Sequence, residues 1–488
     1  MGSGPGGLQL SYSLSRLGID HAVLSDDPAP GGMFRRWPVF QRMLSWTKPF
    51  TGVQRTAREY ERYDWNSLIP DDDAHRAIMP GLMDGTSYFP SRPEMQTGLE
   101  TFAERTHLRI RYGCRWESTG KDGDDFVLST SDGEYRAPHV VFAVGVAQPW
   151  RPPIPGLEDA SQYGELRPVE AYADRRIFII GKQNSGFEIA SGLLPWARQI
   201  ILASPSSTKL SVNTHSLVGV RARYVQPFED SVLAGGVVIL DAAIEEIRRT
   251  GEGFDVHVRT TENKPLQFLV DEVIAATGFT APLRDLPELG VKTFGQSGLP
   301  AQSHFWESIT MPGIYFAGTI NQGSKGLMKH GIPSSSGAVQ GYRYNARVLA
   351  RHLAEKLGVK LDKPIIAADE VIPLLLREAR YGPELWHQRS YLARAIVFAG
   401  DRGIVDAGIV PLAHFLDAAQ FEGAVAIALE SNGREDLYPV VYVRHDRKVH
   451  ETRLDDDPFL NFETAQHRTD LGHALEPLLS PTLSEPRT

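Results

Sequence analysis

The chain has 488 residues, 42% hydrophobic and 23% charged, an ordinary globular composition with room for about three domains. Its net charge of −9, with no long basic run, excludes a nucleic-acid footprint, and no apolar stretch nears the roughly 18 residues of a membrane span. The lone cysteine, Cys114, excludes an internal disulfide and a redox-active CxxC pair, and the polar start carries no secretory signal, so a cytoplasmic protein is expected.

A glycine loop, Gly2-Ser3-Gly4-Pro5-Gly6-Gly7, comes first, and the helical spacing predicts a helix over 8–17 that stops at Gly18. Gly2 permits the tight turn, Gly4 lets backbone approach a pyrophosphate, and Gly7 lets the helix pack on the sheet. The helix N-terminus offers unpaired N–H groups and a positive dipole end to phosphates. A strand over 21–24 leads to Asp26, roughly 20 residues past the glycines, where a carboxylate accepts from a ribose 2′-OH. Only Met1 precedes Gly2, where the motif calls for a buried strand. The expectation is a start placed late or trimmed at the loop; were this the whole natural chain, its first sheet would lack a central strand and flavin affinity would be doubtful.

Residues 87–95 open a helix with Glu94 in its first turn, and Arg92 reads either as a phosphate or carboxylate clamp or as part of the helix start. Residues 140–145 form a buried strand ending in Gly145, and the proline-rich stretch 148–156 is the crossing to a second domain. There the strand 176–180 runs into a second loop, Gly181-Lys182-Gln183-Asn184-Ser185-Gly186, with Gln183 where a middle glycine is usual. The next strand, 200–202, is followed by no carboxylate. The hydroxyls that follow, Ser206 among them, together with Lys209 suit a 2′-phosphate, which favours NADPH over NADH. A strand ending in Thr277-Gly278 marks the return to the first domain, and another ends at Gly318. A helix starting near Ser336 and running to about Leu353 would turn its dipole toward the pyrimidine edge of a reduced flavin.

This order of motifs resembles the flavin-containing monooxygenases, which include N-hydroxylases and Baeyer–Villiger oxygenases, over residues 1 to about 360. The features that carry it are the two glycine loops, Phe89-Pro90-Ser91-Arg92-Pro93-Glu94, the strand ending at Gly145, Ala276-Thr277-Gly278-Phe279 and Tyr315-Phe316-Ala317-Gly318. The resemblance implies FAD and NADPH as cofactors and O2 with a small molecule as substrates, reacting through a C4a-(hydro)peroxyflavin. It implies that Gly2, Gly4, Gly7 and Asp26 hold the FAD diphosphate and adenosine, with Gly32-Met33-Phe34 near the ring. Gly181, Asn184, Ser185 and Gly186 would hold the NADP pyrophosphate. The family's aromatic-x-Gly-x-x-x-His fingerprint is absent around 162–168, which lowers the Baeyer–Villiger reading. The polar residue expected beside the flavin would have to be Thr47 or Lys48, and Lys48 reads equally as a solvated loop lysine.

Beyond residue 361 the sequence reads as a small appended α+β unit, helical over 365–380. Strands are expected near 423–429, 438–444 and 448–454, with a tight turn at His445-Asp446-Arg447. It could cover the cleft, form a homo-oligomer interface or bind a partner. No histidine stands at metal-ligand spacing, and the tail from Leu479 is expected to be disordered. The expectation is an α/β protein of two Rossmann-like domains with this appendage: a FAD domain over 1–155 and 276–360, an NADP domain over 156–275, and the appendage over 361–488. The expected activity is N-hydroxylation. An S-oxygenating or Baeyer–Villiger enzyme, an NADPH oxidase or flavin reductase, and a flavin-less scaffold are the alternatives.

Overall fold

The computed structural model describes residues 1–36, 42–211, 219–225, 236–432 and 436–479. The tail from 480 onward therefore lies outside the described residues. Helix α1 (Pro5–Arg16) leaves the first glycine loop, with Pro5 at its first turn, where the missing N–H costs nothing. Its face toward the core buries Leu8, Leu10 and Leu14. Strand β1 (Val23–Leu24) pairs in parallel with β2 (Ile110–Arg111), which follows helix α2 (Arg92–Arg105). Ser91 and Glu94 close a capping box at the start of α2, so this part of the 87–95 helix start is as the sequence reads. Three antiparallel strands follow, β3 (Trp116–Asp122), β4 (Asp125–Thr130) and β5 (Gly133–Ala137), and then β6 (Val140–Phe142).

Two residues lie between β1 and β6. Met1 donates its amino group to the Val141 carbonyl at 2.7 Å and accepts from the Ala143 N–H at 2.7 Å, while the Gly2 N–H donates to Leu24 at 2.8 Å. Met1 and Gly2 thus bridge β1 and β6, and burial pushes the Met1 amino group down to about 5.

The second unit is a seven-stranded sheet. Its parallel part contains β7 (Arg176–Ile180), β8 (Gln199–Ser204), β9 (Val237–Thr250) and β12 (Glu272–Ala275). The long strand β9 continues as an antiparallel meander with β10 (Gly253–Thr260) and β11 (Pro265–Val270). Helix α3 (Asn184–Leu193) follows the second loop and buries Phe187, Ile189 and Leu193. The chain then returns to the first unit, where β13 (Ile314–Phe316) pairs with β6. Helix α4 spans Val339–Lys356, a few residues later than the sequence suggests, because residues 334–338 form a turn whose hydroxyls bond one another.

The appended unit has more strands than the three expected from the sequence. Ile365–Ile366 is a short strand rather than the start of a helix, and helix α5 covers only Val371–Tyr381. Helix α6 (Pro383–His387) leads to β14 (Leu392–Phe398), β15 (Ile404–Pro411) and α7 (Leu412–Asp417). Then come β16 (Ala424–Ser431), β17 (Leu437–His445) and β18 (Lys448–Arg453), completing a six-stranded sheet, and α8 (Ala465–Leu479). Helices α5 and α8 cover one face, burying Leu375, Leu376, Leu471 and Leu475. The other face packs on Leu412, Phe415 and Phe421. No described helix is long and apolar enough to cross a membrane.

Candidate dinucleotide sites and the cleft between them

The two glycine loops are built to the same plan. A methyl placed on Gly2 would lie 2.5 Å from the Ala143 carbonyl oxygen, and one on Gly181 would lie 2.3 Å from that of Ala276. Both glycines also hold positive φ, +106° and +119°. A methyl on Gly7 or Gly186 would fall 2.1 or 2.2 Å from the oxygen of the loop's own first glycine. Each loop therefore folds back on itself and needs glycine at both ends. Gly6 meets the backbone of Gly318 in the same way, a methyl there lying 2.3 Å from the Gly318 Cα. Gly4 alone faces open space, with nothing within 4 Å, and that opening is where a pyrophosphate fits against the N-terminus of α1. Gln183 occupies the equivalent place in the second loop. Gly4 and Gln183 both have extended backbones, so the substitution costs room rather than conformation.

The first loop rests on its neighbours through Ser3. Its hydroxyl and that of Ser25 are 2.7 Å apart, and its carbonyl accepts from the Gly31 N–H at 3.0 Å. The turn carrying Gly32 and Met33 is thereby held against the glycine loop. Asp26, chosen from the sequence for the ribose, points outward and is exposed. The buried acid beside the loop is Asp27, which pairs with Arg36 at 2.5 Å, and the strand end facing the loop is Ser25. The one-residue offset arises because β1 ends at Leu24 and its last inward position falls on Ser25.

Other expected site residues are already engaged. Arg92 donates to the Phe34 carbonyl at 2.6 Å and so positions the Gly32-Met33 turn. Lys48 is exposed, with its ammonium 6.0 Å from the Tyr63 ring. Ser45 and Thr47 are the buried polar groups on that stretch: Ser45 donates to Asn66 at 2.5 Å, and Thr47 donates to Asp64 at 2.9 Å and accepts from Asn66 at 3.1 Å. Asn66 carries no local sequence signal, since it reaches Ser45 and Thr47 only across a fold of about 20 residues. Thr277 donates to the Trp150 carbonyl and, with Gly278, fastens the crossing between the two units. Gly145 and Gly278 take positive φ at the ends of their strands, 69° and 100°. Ser336 is fully buried beneath α4, where Asn345 and Gln388 donate to its hydroxyl at 3.0 and 3.1 Å.

At the second loop, Asn184 donates to the Gly219 carbonyl at 2.9 Å and accepts from the Arg221 N–H at 3.1 Å, while Ser185 is half-buried beside it. Arg221 is half-buried, and its Nε has no partner among the described residues. Burial, with Arg223 adding to it, lowers its pKa. An uncompensated guanidinium at the mouth of a dinucleotide loop fits an anionic ligand. Ser206 and Lys209 are exposed after β8. Contrary to the sequence reading, a carboxylate does stand nearby. Asp241 lies opposite Ser204 in the sheet, pairs with the buried Lys182 and accepts from Ser207 at 2.5 Å. Those two bonds hold its carboxyl below the ordinary range.

The two units meet along residues 42–47. Arg223 donates to the carbonyls of Arg42 and Met43 at 3.3 and 3.0 Å and lies 4.3 Å over the Phe89 ring. Leu44 packs into the core of the second unit. The arrangement places one glycine loop at the end of the parallel strands of each unit, and residues 42–47 join the two units.

Residues 1–318 match the family described as pyridine nucleotide-disulphide oxidoreductase. The chain belongs to that family. A mouse FAD-dependent oxidoreductase domain-containing protein 2 is 25% identical over 81% of this chain, which spans 64% of that protein, under two thirds of its length. Among solved structures, a bacillithiol disulfide reductase from Bacillus cereus aligns with TM-score 0.56 and 21% identity over 73% of this chain and 97% of its own. A flavin-containing monooxygenase from Stenotrophomonas maltophilia aligns with TM-score 0.54 and 19% identity over 73% and 97%. These two likenesses show the fold, an α/β oxidoreductase fold with two Rossmann-like units, and each covers about three quarters of this chain. Within this oxidoreductase family the present chain has a single, buried cysteine and so no internal dithiol.

Proposed function

We propose that the chain is a FAD- and NADPH-dependent monooxygenase that hydroxylates the nitrogen of a small amine or amino-acid-like substrate, consuming NADPH, O2 and a proton and releasing NADP+, the hydroxylamine and water. The observation that carries this reading is the presence of two matched dinucleotide loops in adjoining units together with a single, buried cysteine. A family member without a dithiol must hand its electrons to another acceptor, and dioxygen with a nucleophilic substrate is the acceptor that the monooxygenase of the same fold supports. Bound flavin would supply hydride acceptance and oxygen activation. The protein's share is to hold and shield. Gly4 and the N-terminus of α1 seat the diphosphate, Ser3 and Arg92 fix the Gly32-Met33 turn, and Arg223 keeps the two units in contact. Arg221, Ser206 and Lys209 support a 2′-phosphate, with Asp241 neutralised by Lys182.

A second reading is an NADPH oxidase or flavin reductase. It is favoured by the missing histidine around 162–168 and by Thr47 and Asn66 bonding each other rather than facing outward. The two separate in one assay on purified protein supplied with FAD: NADPH consumption, O2 uptake and peroxide, measured with a panel of amines and amino acids. A substrate that speeds NADPH use and suppresses peroxide supports the monooxygenase. Peroxide released whatever is added supports the oxidase, and protein that retains no flavin refutes both.

A further inference from the structure

The appended unit meets the first domain along a seam rich in arginine, and most of these cations are neutralised. Arg58 holds Glu378 and Glu384, Arg347 holds Asp71, and Arg394 holds Asp406. Arg62 and Arg389 differ. Each guanidinium carbon lies 4.5 Å from the centroid of the Trp386 ring, so the two cations are no farther apart than twice that distance. Among the described residues neither has a carboxylate within ion-pair range. Arg62 donates Nη1 to the Arg380 carbonyl at 2.5 Å, and its Nε is buried without a partner. Arg389 donates Nε to the Trp386 carbonyl at 3.2 Å, leaving both terminal nitrogens without a described protein partner. Both side chains are half-buried and so remain reachable.

A guanidinium does not shed its proton in a protein, so two like charges here share a poorly solvated site with no counter-charge among the described residues. Burial lowers both pKa values, Arg389 to about 10 with Arg62 adding to the effect. The surroundings are aromatic. Trp65 donates its ring N–H to the Arg62 carbonyl at 2.9 Å and lies tilted against Trp46, centroids 4.9 Å apart, on the strip that joins the two dinucleotide units. Beside Arg389, Gln388 accepts from the Ser335 N–H and donates to Ser336, on the approach to α4. The site therefore adjoins, from the appendage side, the strip that joins the two dinucleotide units.

We propose that Arg62 and Arg389 bind the carboxylate of an aromatic carboxylate substrate, such as an aromatic amino acid. Calling that ligand a substrate rests on the monooxygenase reading, whereas the site itself rests on the seam. The test uses the full chain loaded with FAD, without NADPH, titrated by calorimetry and tryptophan fluorescence with phenylacetate, phenethylamine and inorganic phosphate. Phenylacetate is expected to bind and quench, phenethylamine to bind far more weakly, and Arg389→Gln to weaken phenylacetate at least tenfold without changing the flavin spectrum. Arg389→Lys, which keeps the charge and the fold but loses the two-pronged donor, is expected to fall between. Equal binding of phenylacetate by wild type, Arg389→Gln and Arg62→Gln overturns the proposal, as does no binding by wild type at millimolar ligand. Phosphate binding as tightly as phenylacetate overturns the aromatic carboxylate in favour of a simple anion site. Protein that binds phenylacetate but consumes no NADPH keeps this site and refutes the monooxygenase reading. Turnover without phenylacetate binding does the reverse.

Discussion

Gly4 and Gly7 stand three residues apart in one turn and serve opposite purposes. At Gly7 a methyl would meet the Gly2 oxygen at 2.1 Å, backbone against backbone, and nothing there can yield. At Gly4 the φ and ψ of −72° and 177° suit any residue, and a methyl would meet nothing within 4 Å. Gly7→Ala is therefore expected to destabilise the protein by about 2 kcal/mol or more, with loss of flavin following from misfolding. Gly4→Ala is expected to change stability by less than about 0.5 kcal/mol while weakening FAD at least tenfold, because the methyl enters the room left for the diphosphate. Denaturation curves and flavin absorbance after desalting check both. A Gly4→Ala protein that keeps its flavin as wild type does would place the cofactor elsewhere.

At the scale of elements, what could be read in advance was local. Both glycine loops, the start of α2 with Glu94 in its first turn and the hairpin between β17 and β18 are short-range patterns, and the structure contains each of them. Residues brought in from afar were not legible: Asp241 reaches Lys182 across 59 positions, Arg221 reaches Asn184 across 37, and Gln388 reaches Ser336 across 52. Strands β14 and β15 escaped for another reason. Arg394 and Asp406 pair across them and stand where alternation calls for apolar residues, so a buried ion pair masks two core strands. The hairpin turn was legible but is not optimal. Asp446 and Arg447 both adopt positive φ, 51° and 59°, in a two-residue loop where glycine is favoured. Arg447→Gly keeps the backbone N–H that donates to Glu422 at 3.0 Å and removes the strain of the Cβ. It is expected to stabilise the appended unit by about 0.5–1 kcal/mol, seen as a higher midpoint in urea. A lower midpoint would mean that the exposed arginine side chain contributes more than its backbone costs.

Across the whole molecule, the seam between the first domain and the appendage contains neutral histidines. His352 on α4 stacks on Phe305 at 4.0 Å, His414 on α7 meets the same ring at 4.7 Å, and His387 on α6 bonds the Glu61 carbonyl at 3.0 Å. Burial lowers the pKa of all three, that of His387 well below its ordinary 6.5. The folded protein thus binds fewer protons than the unfolded chain just below pH 6.5. Their contribution to stability is complete above that pH and is lost as pH falls through it, by up to about 1.4 kcal/mol per residue for each pH unit. Glu61 opposes this, since burial and Glu384 raise its carboxyl, but one carboxyl acts against three imidazoles. Acidification from about pH 7.5 to about pH 5.5 is therefore expected to lower the thermal midpoint. His352→Phe keeps the stack on Phe305 and removes one titrating group, so its midpoint is expected to fall less steeply over the same range. A midpoint that rises on acidification, or an unchanged slope in His352→Phe, would show that the seam does not depend on keeping these imidazoles neutral. The appendage would then be held by its carboxylate pairs, chiefly Arg58 with Glu378 and Glu384, and its docking would be insensitive to pH until those carboxylates take up protons.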